Sequence, residues 1–273
     1  MPYSWCWARM MHQQRNFWVE NSQKIKKEDI IWEIASKYPI TVSIFLKHWA
    51  EFCCKGNISL EEASKRDWFN LEQVVSELNS SLENITDDDK KVAEMESLVE
   101  ITDYIKNSFH NPIRELLYPT EVLAKKVAMV HGNIHSELKE IAEIVEWMVP
   151  VLEMHFDKEN QILHPMMAEI DTHNTKWTKL GGLHCGSISN PIMQMEHEHE
   201  NYWDMLEQLR TLTNNYTLPE RACRSYTALF ANLEKLEEDL MRHTNLENFI
   251  LHPKAIEMEK KVSWNWNSCS TWW

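Results

Sequence analysis

Histidine and glutamate recur with the same spacing in two segments of the chain, 155–169 and 243–257. Both segments follow the pattern H-x-x-x-E-N-x-I-L-H-P-x-x-x-E, and the second copy begins 88 residues after the first. A glutamate four residues after a histidine lies about 40° away on the same face of an α-helix, one turn further along. An imidazole nitrogen and a carboxylate that converge in this way suit iron, manganese or zinc, and two such helices suggest two metal ions.

A single histidine from another helix accompanies each copy. His110 and His199 are 89 residues apart, so each half of the repeat offers one histidine followed by an H-x-x-x-E pair. We choose His199 over His197, because the two point about 200° apart and only His199 falls on an apolar helix face. Buried glutamates would cost several kcal/mol unless metal ions compensated their charge, which argues against a plain bundle with core histidines. The candidate metal ligands are therefore His110, His155, Glu159, His199, His243 and Glu247.

The second histidine of each copy is a separate case. His164 and His252 follow the first histidine by nine residues, which corresponds to about 180° around a regular α-helix. We therefore expect both side chains to point away from the metal.

Four long helical patterns would position these ligands. Apolar residues at spacings of three and four run from Leu98 to Val130, from about His135 to Ile170, through the segment around His199, and onward from residue 220. Only five glycines occur, and sustained alternation of polar and apolar residues is scarce. The sequence predicts an all-α protein whose four helices, joined by short connections, form an antiparallel up-down bundle.

A small helical domain precedes this bundle. Short amphipathic patterns fill residues 29–82, and the run from Ser59 to Glu62 predicts a capping box at the start of a helix. The predicted division of the chain is an extension (1–28), the small domain (29–82), an acidic linker (83–97), the bundle (98–260) and a Trp-rich tail (261–273).

Adjacent cysteines, Cys53 and Cys54, form a second candidate site within the small domain. A disulfide between neighbouring residues is strained, so we expect free thiols. One interpretation is a thiol pair for metal handling or redox exchange, with Lys55 favouring the thiolate. The other is two small buried apolar residues.

Charge and composition limit the partners. The formal net charge of −14 argues against nucleic acid or an anionic membrane surface. No run of about 18 apolar residues occurs, and the N-terminus lacks the apolar core of a signal peptide. The six cysteines are scattered, unlike a secreted disulfide framework. We expect a cytoplasmic protein.

Several segments together resemble one known family. The stretches 155–165, 195–200, 213–223 and 239–253, with the cysteine pair at 53–54, are similar to the RIC (repair of iron centres, YtfE/ScdA-type) proteins, which have a hemerythrin-like bundle. The resemblance covers about residues 30–258. The chain departs from the family at His164 and His252, where phenylalanine is usual, and at Pro150 and Val151, where relatives have acidic residues.

The resemblance implies two non-haem iron ions in an oxo- and carboxylate-bridged centre, held by the six candidate ligands. It implies a role in restoring iron-sulfur clusters damaged by nitrosative or oxidative stress, by iron donation to damaged iron-sulfur proteins. Reduction of nitric oxide at the centre is also attributed to the family, so enzymatic activity is left open.

Two other functions remain as alternatives. Reversible binding or sensing of O2, as in hemerythrins, would call for a fifth histidine, and His131 is the one obvious candidate, about 30 Å along an ideal helix from His110. A metal-free scaffold is the other. We also consider a homodimer, although no residue pattern in the sequence indicates one.

Overall fold

The computed structural model describes residues 24–48, 50–52, 55–84 and 95–263. These residues form two compact units, and the second contains everything described from Met95 onward. Regular structure in the described ranges is helical, apart from two isolated β-bridges. The predicted all-α class is therefore confirmed. None of the described helices combines the length and the apolar composition that a membrane span requires.

The described part of the N-terminal unit contains four α-helices: α1 (Ile31–Lys37), α2 (Val42–Lys47), α3 (Leu60–Arg66) and α4 (Leu71–Ser81). The predicted capping box is present at α3, where the Ser59 hydroxyl accepts from the Glu62 backbone N–H and the Glu62 carboxylate accepts from the Ser59 N–H. Apolar side chains from all four helices are fully buried, among them Ile31, Phe45, Leu60, Val74 and Leu78. Cys53 and Cys54 lie outside the described residues.

The C-terminal unit is built from four helical rods. Rod 1 consists of α5 (Leu98–Ile105), the π-helical segment π1 (Lys106–His110) and α6 (Asn111–His131). Rod 2 consists of α7 (Glu137–Lys158), π2 (Glu159–Leu163) and α8 (His164–Thr175). Rod 3 is the single helix α9 (Ser189–Leu212). Rod 4 consists of α10 (Arg224–Leu246), π3 (Glu247–Leu251) and α11 (His252–Ser263).

Hydrogen bonds at one end of the bundle show that rods 1 and 2 are antiparallel, and that rods 3 and 4 are as well. Asp171, near the end of rod 2, accepts from the Ser97 hydroxyl at the start of rod 1. Glu259, near the end of rod 4, accepts from the Ser187 hydroxyl at 2.7 Å and from the Ile188 N–H at 2.9 Å, just before rod 3. The two pairs of rods thus repeat the same end contact. The predicted up-down four-helix bundle is confirmed.

At the opposite end, a buried ion pair ties rod 3 to rod 4. The Arg210 Nε donates to Glu237 Oε1 at 2.7 Å, and Arg210 Nη1 donates to Asn215 Oδ1 at 2.6 Å. The connection between the rods includes three consecutive left-handed residues, Asn214, Asn215 and Tyr216, with φ of 47°, 55° and 55°. Because the guanidinium also bonds within this connection, it holds the tight turn against both rods.

The three π-helical segments change the orientation of the residues that follow them. In each case, the N–H of the residue after the segment donates to the carbonyl five residues earlier: Asn111 to Lys106, His164 to Glu159, and His252 to Glu247. A proline comes next in each of these three rods (Pro112, Pro165 and Pro253). Proline cannot make the regular bond to the residue four back, and its ring clashes with that carbonyl, so a wider turn suits these positions. The extra residue rotates the following side chains by roughly 100°.

Candidate metal centre

All six predicted ligands meet in the interior of the bundle. Each of them is at most 1% exposed, and every rod contributes at least one (His110, His155, Glu159, His199, His243 and Glu247). Their ligand atoms form two overlapping groups, in each of which all atoms lie within 4.8 Å of one another. The first group is His155, His199, His243 and Glu247, and the second is His110, Glu159, His243 and Glu247. As predicted, His197 on rod 3 is exposed and outside the cluster.

The two oxygens of Glu159 face different pairs of imidazoles. Oε1 lies 3.1 Å from His155 Nε2 and 3.8 Å from His199 Nε2. Oε2 lies 3.2 Å from His110 Nε2 and 3.6 Å from His243 Nε2. One carboxylate therefore separates two pairs of nitrogen donors, with one oxygen available to each pair.

Glu247 approaches the same four imidazoles from rod 4. Its Oε2 lies 3.3 Å from His199 Nε2 and 3.2 Å from His243 Nε2. Both carboxylates are fully buried. Two buried carboxylates so near each other need positive charge between them, either from protons on the imidazoles or from metal ions.

The donor atoms of the cluster fit a metal. The buried atoms without a hydrogen-bond partner among the described residues include His155 Nε2, His199 Nε2 and all four carboxylate oxygens of Glu159 and Glu247. His110 Nε2 and His243 Nε2 are 3.0 Å apart, so two potential lone pairs converge on one place. Polar atoms that are buried and unpaired cost stability, and convergent nitrogen and oxygen donors are what iron or a similar metal prefers.

Asparagines hold the outer nitrogens of two imidazoles. His110 Nδ1 lies 3.2 Å from Asn160 Oδ1, and His199 Nδ1 lies 2.9 Å from Asn248 Oδ1. Since an amide oxygen only accepts, each Nδ1 carries a proton, and Nε2 is the ring nitrogen that can bind a metal once it is deprotonated. Both asparagines belong to the repeat, although the sequence alone predicted no role for them. Their position directly after the repeated glutamate was the available signal.

His155 and His243, the first residues of the two H-x-x-x-E pairs, differ in what their outer nitrogens contact. His155 Nδ1 lies 3.2 Å from Glu198 Oε2, and Lys158 donates to the other oxygen of that carboxylate at 2.6 Å. The pKa of Glu198 is lowered to about 2, and the hydrogen bond with His155 is the largest cause. His243 Nδ1 has no hydrogen-bond partner in the described part of the chain, and the Phe109 ring lies beside it. The two halves of the repeat therefore support their imidazoles unequally.

Without metal, the cluster stores protons. Burial opposes the charged form of His199, but contacts with Glu159 and Glu247 outweigh burial and raise its pKa to about 10. The same balance raises the pKa of His243 to about 9. Burial likewise opposes ionisation of both glutamates, yet the facing imidazoles hold their pKa values well below the ordinary range. At neutral pH, imidazolium and carboxylate charges thus compensate each other.

The expectation for His164 and His252 was wrong, because both lie against the cluster. The His164 ring stacks on His110 with centroids 5.7 Å apart, and its Nε2 is 4.0 Å from Glu247 Oε1. The His252 ring is parallel to that of His199 at 6.2 Å. The π-helical segments explain the error, since one extra residue changes the expected 180° to about 80°. Burial lowers the pKa of His164 to about 4, so its imidazole is neutral.

The candidate for a fifth histidine ligand, which O2 binding would call for, lies outside the cluster. His131 ends α6, and its Nε2 lies 3.2 Å from Cys223 Sγ at the start of α10. It is therefore not the additional imidazole near the glutamates. The thiol pair Cys53 and Cys54 stays a prediction, because neither residue is among those described.

Comparison with known proteins agrees with this geometry. Residues 107–255 match the family model described as "Hemerythrin HHE cation binding domain", and residues 27–82 match ScdA_N, "Domain of Unknown function (DUF542)". The four rods and their buried histidine–glutamate cluster define a hemerythrin-like cation-binding protein.

Several curated proteins are similar over most of their length. The "Probable iron-sulfur cluster repair protein" of Haemophilus influenzae is 33% identical over 224 residues, which cover 82% of this chain and 95% of that protein. The "Iron-sulfur cluster repair protein YtfE" of Citrobacter koseri is 31% identical over 233 residues, which cover 85% and 99%. YtfE of Escherichia coli O17:K52:H18 has the same identity and coverage. The chain belongs to the RIC family of iron-sulfur cluster repair proteins.

Proposed function

We propose that the six clustered side chains hold two iron ions, with Glu159 and Glu247 as bridging ligands. The observation that supports this most is the position of Glu159, whose two oxygens face separate imidazole pairs. A carboxylate that bridges two metals needs this arrangement. Iron, when bound, would supply exchangeable coordination positions and a redox couple that no side chain provides.

The function we infer is repair of iron-sulfur clusters damaged by nitrosative or oxidative stress, with iron as the cargo that is donated. Its support is the name of the similar proteins, which are called iron-sulfur cluster repair proteins. The donor set agrees with release of iron, because imidazole and carboxylate ligands can each be protonated and no cysteine among the described residues belongs to the cluster. Damaged iron-sulfur proteins as clients, and association into a homodimer, belong to the same proposal.

We also propose that the same centre reduces nitric oxide. Four imidazoles, two bridging carboxylates and an oxo bridge would fill about ten of about twelve positions on two six-coordinate irons. About one position per iron would remain for a small ligand. Reversible O2 binding is not favoured, because the similar proteins are named for repair.

The test compares the wild type with Glu159→Leu and Glu247→Leu after anaerobic loading with ferrous iron. We expect the wild type to retain about two irons per chain and to reactivate an iron-sulfur hydratase that has been inactivated by nitric oxide. Both variants should lose bound iron and reactivation, because a bridging oxygen pair is missing. His197→Leu, which changes an exposed residue on rod 3, is the control.

Consumption of nitric oxide by the reduced protein is measured in the same samples. Full reactivation by a variant that retains no iron would refute iron donation. Equal nitric oxide consumption with and without bound iron would refute the reductase activity.

A further inference from the structure

Two buried histidines beside the metal centre have unpaired ring nitrogens. His164 is 8% exposed and His252 is 1% exposed. Among the described residues, His164 Nε2 and His252 Nε2 have no hydrogen-bond partner. An imidazole that only fills space in a core would leave these polar atoms at a cost in stability, so a role as nitrogen donor is the better explanation.

The position of His164 is compatible with direct metal binding. Its Nε2 lies 4.0 Å from Glu247 Oε1, and that oxygen is itself buried and unpaired. Two donors on one metal ion, each about 2.1 Å from it, are separated by at most about 4.2 Å. The parallel stacking on His110 also holds the His164 ring next to a proposed ligand from rod 1.

His252 occupies the equivalent position in the second half of the repeat. Its ring is parallel to that of His199 on rod 3, as the His164 ring is to that of His110 on rod 1. Its Nδ1 faces Glu196 Oε1 at 3.6 Å. A carboxylate on the outer nitrogen is the usual support of a metal-bound histidine, because it orients the ring and raises its basicity.

We propose that His164 and His252 are two further nitrogen ligands of the metal centre. The inference rests on the proposed iron-binding function and extends its ligand set from four imidazoles to six. They would take the positions that the other six side chains leave exchangeable. A small anion or diatomic molecule would then have to displace an imidazole of the protein before it could bind.

The experiment uses the full chain with each histidine replaced by phenylalanine, a ring of similar size without nitrogen. The variants His164→Phe and His252→Phe are compared with the wild type and with His197→Phe, an exposed control. Iron affinity is measured anaerobically by chelator competition, and imidazoles per iron are counted by X-ray absorption. Azide serves as the probe of exchangeable positions.

We expect both variants to retain two irons with an affinity about 10- to 100-fold lower, fewer imidazoles per iron, and tighter azide binding than the wild type. The melting temperature of the metal-free variants should be equal or higher, because an unpaired buried nitrogen is removed. A merely structural histidine would instead lower that temperature and leave the imidazole count unchanged.

Other outcomes would overturn the inference. Unchanged iron affinity and imidazole count in both variants would show that neither histidine is a ligand. Weaker azide binding in His164→Phe would show that this residue hydrogen-bonds the small ligand instead of competing with it. If the variants do not fold, the number of imidazoles per iron in the wild type remains a test of the proposal. A count of four imidazoles for two irons would refute it. Failure of the wild type to bind iron would refute the proposed function itself.

Discussion

Metal uptake by this protein should release about two protons at neutral pH. The pKa values of His199 and His243 are raised to about 10 and 9, so both imidazoles are protonated at pH 7 before metal arrives. Each proton must leave before its nitrogen can bind metal. Two competing protons make the apparent affinity rise by up to about a hundredfold per pH unit between pH 6 and 8. The dependence should weaken above about pH 9, where His243 has lost its proton, and flatten above about pH 10, where His199 has lost its own.

Isothermal titration calorimetry under anaerobic conditions measures this directly. Ferrous iron is titrated into the metal-free protein in two buffers with different ionisation enthalpies, and the difference in observed heat gives the number of protons released. In Glu159→Gln the neutral amide no longer supports the His199 imidazolium, so fewer protons should be released. His197→Ala should behave like the wild type, because that side chain is exposed. Release of fewer than one proton by the wild type would refute the charge balance described for the metal-free cluster.

Three further predictions concern the support of the centre and the bundle. Asn160→Leu and Asn248→Leu should each weaken iron binding about 10- to 100-fold in chelator competition, because the acceptor that orients an imidazole is lost, whereas the exposed control Asn201→Leu should not. Arg210→Met should lower the free energy of unfolding in urea by about 3–5 kcal/mol, since Glu237 is left buried without its cationic partner, and equal stability of the variant would contradict this. The metal-free protein should become less stable as the pH rises from 7 to 10. The two raised imidazole pKa values contribute stability that is complete below pH 6.5 and is lost through pH 9 to 10, so a constant melting temperature over this range would be inconsistent with them.

Local sequence patterns were sufficient for the helices and for the cluster. The i, i+4 spacing of His155 and Glu159 fixes their common face whatever the rest of the chain does, because it depends only on the helical turn. The position of His199 on an apolar face followed from the same geometry. Repetition of the whole pattern then indicated that the two halves meet, as they do in the bundle.

The orientation of His164 and His252 could not be obtained in the same way. Over nine residues, a single π turn displaces the side chain by about 100°, which is enough to change outward into inward. The prolines that follow both histidines were visible in the sequence, but proline is also accommodated within an otherwise continuous helix, as at Pro119 and Pro150. Whether the backbone kinks, continues or widens at a proline depends on the packing of neighbouring rods.

By itself, the sequence determined the helical class, the duplicated hairpin and the identity of the six candidate ligands, because helical periodicity and a repeat of 88 to 89 residues are both visible along the chain. Only the tertiary structure decided which atom faces which. It set Glu159 between two imidazole pairs, placed Asn160 and Asn248 on outer nitrogens, and left His243 Nδ1 without such a partner. Apart from the contact of Glu159 with His155, those contacts join residues 40 or more positions apart, and their geometry depends on how each rod is rotated about its axis.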